Sequence, residues 1–427
     1  MTATSRRLCV WVLQTGEPLP SDSGNPRPMR AMNLTSALID AGHDVVLWSS
    51  DFYHQEKRHR SGGARTLCLS PRLEVRLVPS PGYRRNIGPR RLVDHAVLAW
   101  NLRRALRGAT PPDVAFLGYP PIETAAVMGG WLKRRGVPHL LDPKDQWPSL
   151  FVEALPGVAR TLGRVAFAPY FFLARRAMAE ATGITAMSES FLEWALGVAG
   201  RPRRAADRVV PLSPPAARDS EADLQAASEW WDARGVRADG RARVCFIGSH
   251  SRAFDFAPVA EAARRLAADG ANCQFVICGT GEETAAWQAL ARDLPQVVFP
   301  GWVDRPQARV LAARSIAALL PYHGSENFNR NLPNKVLDAL SFGLPLVSPL
   351  RGEVESIITR DGVGLTYGAG DGSSLADRLG RLIRDEPARL EMGVRARRLF
   401  SDRFSYERVY GGLVRHLEEL AGGRSAT

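Results

Sequence analysis

The chain has 427 residues, roughly three times the ~150 residues of a typical domain, so two or more domains are expected. Apolar residues make up 45% and charged residues 23%, an ordinary globular composition that excludes wholesale disorder. The net charge of +12 lies in the N-terminal half: residues 1–210 hold 29 Lys and Arg against 17 Asp and Glu, whereas residues 211–427 hold 27 of each. This half is expected to face nucleic acid, lipid headgroups or a phosphorylated substrate, unless it is only a solvated basic face.

Cysteine usage and apolar runs indicate the compartment. The five cysteines form no CxxC pair, which favours a reducing cytoplasm and argues against a disulfide framework. The first apolar run, residues 8–13, is too short for a signal peptide, and no run approaches the ~20 residues of a spanning helix. We expect a cytoplasmic protein that can touch the inner face of a membrane. Only four of the 56 basic residues are lysines, namely Lys57, Lys133, Lys144 and Lys335.

The predicted elements begin twice in the same order, with a short apolar strand, a glycine-containing loop, a helix and a second strand. The first series has strands at 8–13 and 45–48 around a helix at 28–41. The second has strands at 244–247 and 274–278 around a helix at 257–268. This order is typical of a parallel sheet covered by helices on both faces. We therefore expect an α/β protein with two tandem Rossmann-like, doubly wound domains that face a cleft.

The remaining elements extend both series. Further strands are predicted at 114–117, 138–141, 183–186, 297–299, 316–320 and 344–348. Further helices are predicted near 123–135, 170–181 and 405–420. A proline-rich basic segment at 201–217 is typical of a linker. The predicted domains are 1–205 and 206–400, followed by a C-terminal helical segment, 401–427, that returns to the first domain.

The segment 321–349 carries the most informative motif. Pro333 suits the first turn of a helix. Asn334 and Lys335 then lie where free backbone N–H groups and the helix dipole bind phosphate, so Lys335 is expected to meet an anion. Asp338, one turn later on the same face, can accept hydrogen bonds from a ribose diol. The alternative is a solvent-exposed helix start with incidental polarity.

Two glycine loops follow strands in the second half. Gly248 allows a ligand to approach the backbone, and Arg252 offers a bidentate fork for a pyrophosphate. Gly279 belongs to a loop that falls short of GxGxxG, and the chain has no P-loop, which makes kinase or ATPase chemistry unexpected. The chain also lacks a DxD motif and a zinc spacing among its eight histidines, so no metal cofactor is expected.

In the first domain, Asp145 follows the strand at 138–141. It is therefore expected near the carboxyl end of that strand, where catalytic groups are usually held, unless it only caps the next helix. Arginines at 84, 85, 90 and 91 flank the Asn-Ile-Gly-Pro turn at 86–89, which suits an anionic headgroup or an ordinary solvated loop. The segment 165–178 mixes aromatic residues with arginines, and core packing is favoured there over a membrane surface.

Taken together, these motifs resemble a GT-B glycosyltransferase, similar to glycosyltransferase family 4 and most to its bacterial subgroup that builds surface polysaccharides and lipid-linked glycans. The matching segments run in the family's order along nearly the whole chain: 42–45 (GHDV), 145–148 (DQWP), Ser188, 246–248 (FIG), 278–281 (CGTG), 299–303 (FPGWV), 333–338 (PNKVLD) and 343–345 (GLP).

The resemblance implies a hexosyltransferase that uses a nucleotide-sugar, with UDP as the expected nucleotide. The residues implied in binding the donor are Gly248, Arg252, Gly279, Trp302, Val303, Asn334, Lys335 and Asp338. Among them, Arg252 and Lys335 would hold the diphosphate, Asp338 the ribose and the Trp302–Val303 backbone the base.

The resemblance also implies the course of transfer. The N-terminal domain would bind a glycan or polyprenyl-linked acceptor, with Asp145, Arg252 and Lys335 as catalytic groups. Transfer would retain the anomeric configuration without a metal, and the departing phosphate would help to deprotonate the acceptor hydroxyl. The cations would stabilise the leaving group, which is electrostatic rather than covalent catalysis.

One departure from the family pattern keeps alternatives open. Arg330 stands where many family members carry a glutamate, although Glu326 lies nearby, so the donor sugar is not identified. A nucleotide-sugar epimerase on the same scaffold and a catalytically inactive nucleotide-sugar-binding partner protein are the alternatives. A nucleic-acid-binding protein is not expected, because it would leave the segment 333–338 without a role.

Overall fold

The computed structural model describes residues 6–23, 26–85, 88–153, 155–215 and 219–423. The chain divides into two compact units. The N-terminal unit comprises Met1–Pro211 together with Tyr406–Thr427, and the C-terminal unit comprises Leu212–Ser405. The sequence places these two boundaries after residues 205 and 400. In the part of the chain that the structure describes, no helix is both long and apolar enough to cross a membrane.

The N-terminal unit is built on a mainly parallel sheet. Its strands are β1 (Cys9–Leu13), β2 (Asp44–Ser50), β3 (Phe52–Tyr53), β4 (Arg58–His59), β5 (Arg65–Ser70), β6 (Leu73–Val78), β7 (Val114–Tyr119), β8 (His139–Pro143), β9 (Gly183–Ala186) and β10 (Arg208–Val209). The sheet order is β10-β9-β8-β7-β1-β2-β6-β5, with β5 antiparallel to β6 and the other pairs parallel. The short strands β3 and β4 pair separately.

Helices cover both faces of this sheet. They are α1 (Arg30–Asp40), α2 (Pro89–Ala105), α3 (Ile122–Lys133), α4 (Ser149–Glu153), α5 (Gly157–Ala166), α6 (Ala168–Glu180) and α7 (Glu189–Ala199). Side chains of β1 alternate between the two faces, as the strand period requires. Val10 and Val12 join one apolar cluster, whereas Trp11 and Leu13 join the other. The last helix of the chain belongs to the Val10 cluster through residues such as Leu417.

The C-terminal unit holds a second, parallel sheet. Its strands are β11 (Ala242–Ile247), β12 (Cys273–Cys278), β13 (Val297–Gly301), β14 (Ala317–Leu319), β15 (Leu346–Ser348) and β16 (Gly364–Thr366). The order β13-β12-β11-β14-β15-β16 is the 3-2-1-4-5-6 order of a Rossmann sheet. Its helices, with the last helix of the chain, are α8 (Glu221–Asp232), α9 (Ala257–Ala268), α10 (Thr284–Leu290), α11 (Arg305–Ala313), α12 (Glu326–Arg330), α13 (Asn334–Phe342), α14 (Glu353–Asp361), α15 (Gly372–Arg384), α16 (Glu386–Leu399) and α17 (Tyr406–Gly422).

The prediction of two Rossmann-like α/β units is confirmed, and most predicted strands and helices lie within a few residues of their observed bounds. The antiparallel β5–β6 pair at the sheet edge and helix α2 were not predicted. In both sheets the strand order reverses beside the first strand, at β1/β7 and at β11/β14. Loops diverge at such a point, so ligands of open α/β sheets bind there, beyond the carboxyl ends of the strands.

Candidate functional site

Two glycine loops interlock at the carboxyl ends of β11 and β12. The Gly248 N–H donates to the Cys278 carbonyl (3.1 Å), and the Gly279 N–H donates to the Gly301 carbonyl (2.7 Å). A Cβ added to Gly279 would lie 1.9 Å from the Gly248 carbonyl oxygen, so only glycine fits this approach of the two backbones. The sequence locates both glycines in ligand-binding loops, and the structure brings them into contact.

Lys335 reaches the same point from the start of α13. Its Nζ donates to the Ile247 carbonyl (2.9 Å), at the end of β11. A Cβ on Gly248 would lie 1.7 Å from this Nζ, so the absence of a side chain at Gly248 makes room for the ammonium group. The Nζ also lies 5.4 Å from the centre of the Phe246 ring and 5.5 Å from that of Phe254. The Ile247 carbonyl, two aromatic rings and the space beside Gly248 therefore hold the Lys335 ammonium group at the switch point of the sheet.

Helix α13 begins in a way that suits an anion. Pro333 precedes it in an extended conformation, and the helix has neither a side-chain N-cap nor an acidic residue in its first turn. Free N–H groups at a helix start attract anions, and Lys335 adds a positive charge there. Asn334 is exposed, whereas Asp338 is half-buried one turn later. Asp338 also lies close enough to Tyr322 to help burial raise the pKa of that phenol.

His250 supports the glycine loops from inside. Its backbone N–H donates to the Thr280 carbonyl (3.0 Å), and its Nδ1 lies 2.9 Å from the Thr284 hydroxyl. Burial lowers the pKa of His250 and the charge of Lys335 lowers it further, so the imidazole is neutral at pH 7. Sequence reasoning passed over His250, although its position two residues after Gly248 is a signal that could have drawn attention to it.

The structure does not place every predicted donor residue in this cradle. The Arg252 side chain is 84% exposed and its Nε lies 3.3 Å from a Glu283 carboxylate oxygen. Trp302 is 70% exposed and follows the last residue of β13, whereas Val303 is buried. The roles of Arg252, Trp302 and Val303 remain predictions. Arg330, at the family's glutamate position, forms an ion pair with Glu326 (3.1 Å) on α12.

The N-terminal unit contains a cavity of about 190 Å³. Residues that follow β1, β2, β7 and β8 line it, together with one side of α2. Asp145 lies in this lining, beyond the carboxyl end of β8, where the sequence places it. Burial raises the pKa of Asp145, while Lys144 and Arg91 act against the rise. The cavity therefore holds a carboxyl group that takes up a proton more readily than a solvated aspartate.

Lys144 lies beside Asp145 in the cavity lining. Its ammonium group forms an ion pair with the buried carboxylate of Glu17. The other oxygen of Glu17 accepts the Ala31 N–H (2.8 Å) at the start of α1. Three segments of the unit therefore meet at this carboxylate.

A group of four side chains on the β6–α2 side of the cavity, which we call the Tyr83 cluster, was not recognised from the sequence as a unit. It consists of His54, Lys57, Tyr83 and Arg91, and His54, Tyr83 and Arg91 line the cavity. The Tyr83 hydroxyl lies 2.5 Å from His54 Nδ1, and Lys57 Nζ lies 3.1 Å from the same nitrogen. The guanidinium of Arg91 lies 5.5 Å from the Tyr83 ring centre.

The four arginines that flank the turn at 86–89 in the sequence have different surroundings in the structure. Arg91 lines the cavity, and its guanidinium packs on the Trp147 ring at 4.4 Å. Arg84, Arg85 and Arg90 are exposed, and residues 86 and 87 of the intervening turn lie outside the described residues. The rarity of lysine could have drawn attention to Lys57, which belongs to the same cluster as Arg91.

Helices α5 and α6 carry the apolar segment singled out in the sequence. The prediction that this segment packs in the core is confirmed for Ala174 and Met178, which are buried. It is wrong for Val165 and Phe172, which are exposed. The side chains of Leu162, Val165 and Phe172 are 70%, 71% and 68% exposed. Large apolar side chains on consecutive helices therefore reach the surface here.

Comparison with known protein families identifies the class. A family described as "Glycosyl transferases group 1" matches residues 241–385, and a "Glycosyl transferase 4-like domain" matches residues 29–213. The protein belongs to the GT-B glycosyltransferases. It is therefore a transferase, and the two matched domains correspond to the two Rossmann-like units. No curated protein matches the chain by sequence.

Solved structures of other glycosyltransferases share the fold of this one. Sucrose-phosphate synthase from Thermosynechococcus elongatus has 14% identity and a TM-score of 0.68, covering 98% of this chain and 100% of its own. HepE from Anabaena, solved with UDP and glucose, has 14% identity and a TM-score of 0.63, covering 97% and 100%. WaaG, a glycosyltransferase involved in lipopolysaccharide biosynthesis, has 13% identity and a TM-score of 0.63, covering 96% and 99%.

Proposed function

We propose that this glycosyltransferase moves a hexose from a UDP-sugar to a glycan or lipid-linked acceptor, with retention of configuration and without a metal. The observation that carries the proposal is the cradle around Lys335, where an ammonium group, a helix start and two interlocked glycine loops meet at the switch point of the C-terminal sheet. HepE, which has the same fold, was solved with UDP and with UDP-glucose, which supports UDP as the nucleotide.

The donor diphosphate would lie against the first turn of α13. There the helix N–H groups and Lys335 neutralise charge that grows on the leaving group as the glycosidic bond breaks. Asp338 would accept hydrogen bonds from the ribose, and Arg252 would have to leave Glu283 to reach the diphosphate. In the described part of the chain, no three His, Cys, Asp or Glu side chains are grouped so that they could hold a metal ion.

The acceptor would bind in the N-terminal cavity. Asp145 would contact the reacting hydroxyl group, while the departing phosphate accepts the proton of that hydroxyl. The donor and the acceptor are thereby assigned to different units. Loss of Lys335 should affect the donor, and loss of Asp145 should affect transfer.

Calorimetric titration with UDP, GDP and ADP in the presence of EDTA tests the donor site. UDP should bind without metal, and Lys335→Ala should weaken binding roughly 10- to 100-fold, since a charge-assisted contact contributes about 1.5–3 kcal/mol. Lys133→Ala is the matched control, because Lys133 lies on α3 in the N-terminal unit and pairs with Glu180 there. Absence of UDP binding, or equal affinity in the Lys335 variant, would reject the assignment.

Turnover measurements separate the alternatives. Asp145→Asn should lower transfer while UDP affinity stays unchanged, and normal turnover would remove Asp145 from the mechanism. Consumption of UDP-sugar without any acceptor would favour the epimerase. Binding of UDP without turnover of any sugar would favour an inactive partner protein, for which the Arg330–Glu326 ion pair at the family's glutamate position is the specific observation.

We also propose that the enzyme acts in polysaccharide biosynthesis at the cytoplasmic face of a membrane, where α5 and α6 would contact anionic lipid. The exposed side chains of Leu162, Val165 and Phe172, with Arg160 and Arg164 on α5, support this. Val165→Glu should reduce flotation with vesicles that contain phosphatidylglycerol and leave the melting temperature unchanged. Leu390→Glu, at an exposed apolar position in the C-terminal unit, is the control. Equal flotation of the Val165 variant and wild type would contradict the proposal.

A further inference from the structure

Helix α2 and the loop before it present a basic surface to solvent. The segment 84–107 contains seven arginines, and its single acidic residue, Asp94, is buried. Six of these arginines are exposed, namely Arg84, Arg85, Arg90, Arg103, Arg104 and Arg107. Among the described residues, no carboxylate forms an ion pair with any of the six, whereas Arg264, for example, pairs with Asp293 (2.8 Å). The six charges are therefore available to an anionic partner.

Large apolar side chains lie on α2 between the arginines. Val93 and Trp100 are 57% and 59% exposed. Successive positions of an α-helix differ by about 100°, so Val93, Trp100 and Arg104 project from one side of α2, which we call its outer face. A tryptophan and an aliphatic residue beside arginines are typical of a helix that lies at the boundary between lipid headgroups and acyl chains.

The opposite side of α2 lines the N-terminal cavity. Asp94, His95 and Leu98 belong to this lining. By the same helical spacing, these three residues project from the side of α2 that is turned away from Trp100. The outer face and the cavity are therefore separated by the thickness of one helix, ~10 Å.

The outer face of α2 lies in the same helical layer as the exposed side chains of α6. Helix α2 packs against α3, and α3 packs against α6. Leu98 of α2, Met128 of α3 and Met178 of α6 join one apolar cluster against the sheet. Phe172, which is exposed on α6, therefore lies on the same side of the N-terminal sheet as Trp100.

We propose that the outer face of α2 binds the surface of an anionic lipid bilayer. The arginines match anionic headgroups, and Val93 and Trp100 match the apolar boundary beneath the headgroups. The phosphates of a nucleic acid would match the arginines alone, so the apolar side chains favour lipid. The inference adds a second helix to the membrane contact proposed for α5 and α6, and it rests on that proposed function. A bilayer docked on α2 would lie beside the cavity proposed for the acceptor.

Flotation of the full chain with two kinds of vesicle tests the proposal. One kind contains phosphatidylcholine alone, and the other contains phosphatidylcholine and phosphatidylglycerol in equal parts. Wild type should bind the anionic vesicles more tightly. Arg103→Gln/Arg104→Gln should lower binding to the anionic vesicles roughly 25-fold, because each basic residue near an anionic surface contributes about 1 kcal/mol, a factor of about 5. Binding of this variant to phosphatidylcholine alone should change little.

The variant Trp100→Gln separates the apolar contact from the charge. It should weaken binding to both kinds of vesicle by a similar factor and keep the preference for phosphatidylglycerol. Arg397→Gln/Arg398→Gln, which removes two adjacent exposed arginines from α16 in the C-terminal unit, is the control for net charge and should bind as wild type does. All three variants replace exposed side chains, so their melting temperatures should stay near that of wild type.

Three results would overturn the proposal. The first is equal binding of wild type and the Arg103→Gln/Arg104→Gln variant to the anionic vesicles. The second is loss of flotation in Val165→Glu alone, which would keep the contact through α5 and α6 and reject the one through α2. The third is binding of polyadenylate, dependent on the same two arginines, by protein that does not float. If wild type floats with neither kind of vesicle, both membrane contacts are rejected, whereas calorimetry with UDP tests the donor site independently.

Discussion

Replacing Gly248 with alanine separates the geometry of the donor cradle from the stability of the C-terminal unit. The added Cβ would lie 1.7 Å from the Nζ and 2.4 Å from the Cε of Lys335. These atoms end a flexible side chain, so the lysine moves and the backbone stays. The ammonium group then loses the Ile247 carbonyl and its place beside the start of α13. We expect UDP affinity to fall roughly 10- to 100-fold, the effect of about 1.5–3 kcal/mol.

Gly279→Ala is the matched variant in the same loops. Its added Cβ would lie 1.9 Å from the Gly248 carbonyl oxygen, which is backbone, and Gly279 has a φ of 121°. The loop itself must move, at a backbone cost of about 1–3 kcal/mol before any steric term. A unit of this size loses roughly 2–4 °C in melting temperature per kcal/mol, so a fall on the order of 5–10 °C is expected.

Calorimetry with UDP and thermal denaturation followed by circular dichroism measure both effects. Gly197→Ala is the control, since its added Cβ would meet nothing within 4 Å apart from the backbone of its own helix. If the Gly248 variant bound UDP as tightly as wild type, the diphosphate would not lie at Lys335. If it lost as much thermal stability as the Gly279 variant, the distinction between side-chain and backbone clashes would be refuted.

Two further predictions concern buried charge in the N-terminal unit. Burial raises the pKa of Asp145 above its value in the unfolded chain, so the ionised carboxylate lowers the stability of the folded protein at neutral pH. Asp145→Asn should therefore have a higher melting temperature than wild type at pH 7. This difference should shrink as the pH falls toward the pKa of ~3.9 of a free aspartate. Arg30 and Asp142 form a fully buried ion pair (2.7 Å). Arg30→Met should therefore lower the free energy of unfolding, measured by urea titration, by about 3–5 kcal/mol. The control Arg6→Ala breaks an exposed ion pair with Asp113 and should lower it by less than about 1 kcal/mol.

The sequence predicts the two sheets well because their inner strands are continuous apolar runs between glycine loops. Every residue of β7 and of β12 is buried, and the apolar run in the sequence predicts both strands. The β5–β6 pair lacks this signal, because β5 is largely exposed at the sheet edge and half of its side chains are polar. Helix α2 opens with Pro89 and two arginines and has a weak apolar stripe, so a local pattern did not distinguish it from a basic loop.

The residues of the candidate site also differ in how well the sequence predicts them. Gly248, Gly279, Lys335 and Asp338 were predicted because each stands beside a strong strand or helix signal in the local sequence. The Tyr83 cluster brings together His54 and Arg91 from segments that are distant in sequence, and no local pattern announces such a contact. One sequence read alone shows the spacing of residues along one element, but side chains that meet from separate loops become visible only in the folded chain.

The distribution of lysine sets the cradle around Lys335 apart from the charged surface of the chain. Arginine supplies most cations of this chain, and many of them form surface ion pairs such as Arg264–Asp293. Three of the four lysines instead lie at the carboxyl ends of the two sheets, at positions 57, 144 and 335. A lysine ends in a compact charge whose pKa shifts with burial, whereas a guanidinium is a broad, permanently charged plane. An added Cβ at Gly248 would lie 1.7 Å from the Lys335 Nζ, so the space there holds a compact ammonium group, which explains why lysine stands at this point in a chain that otherwise uses arginine.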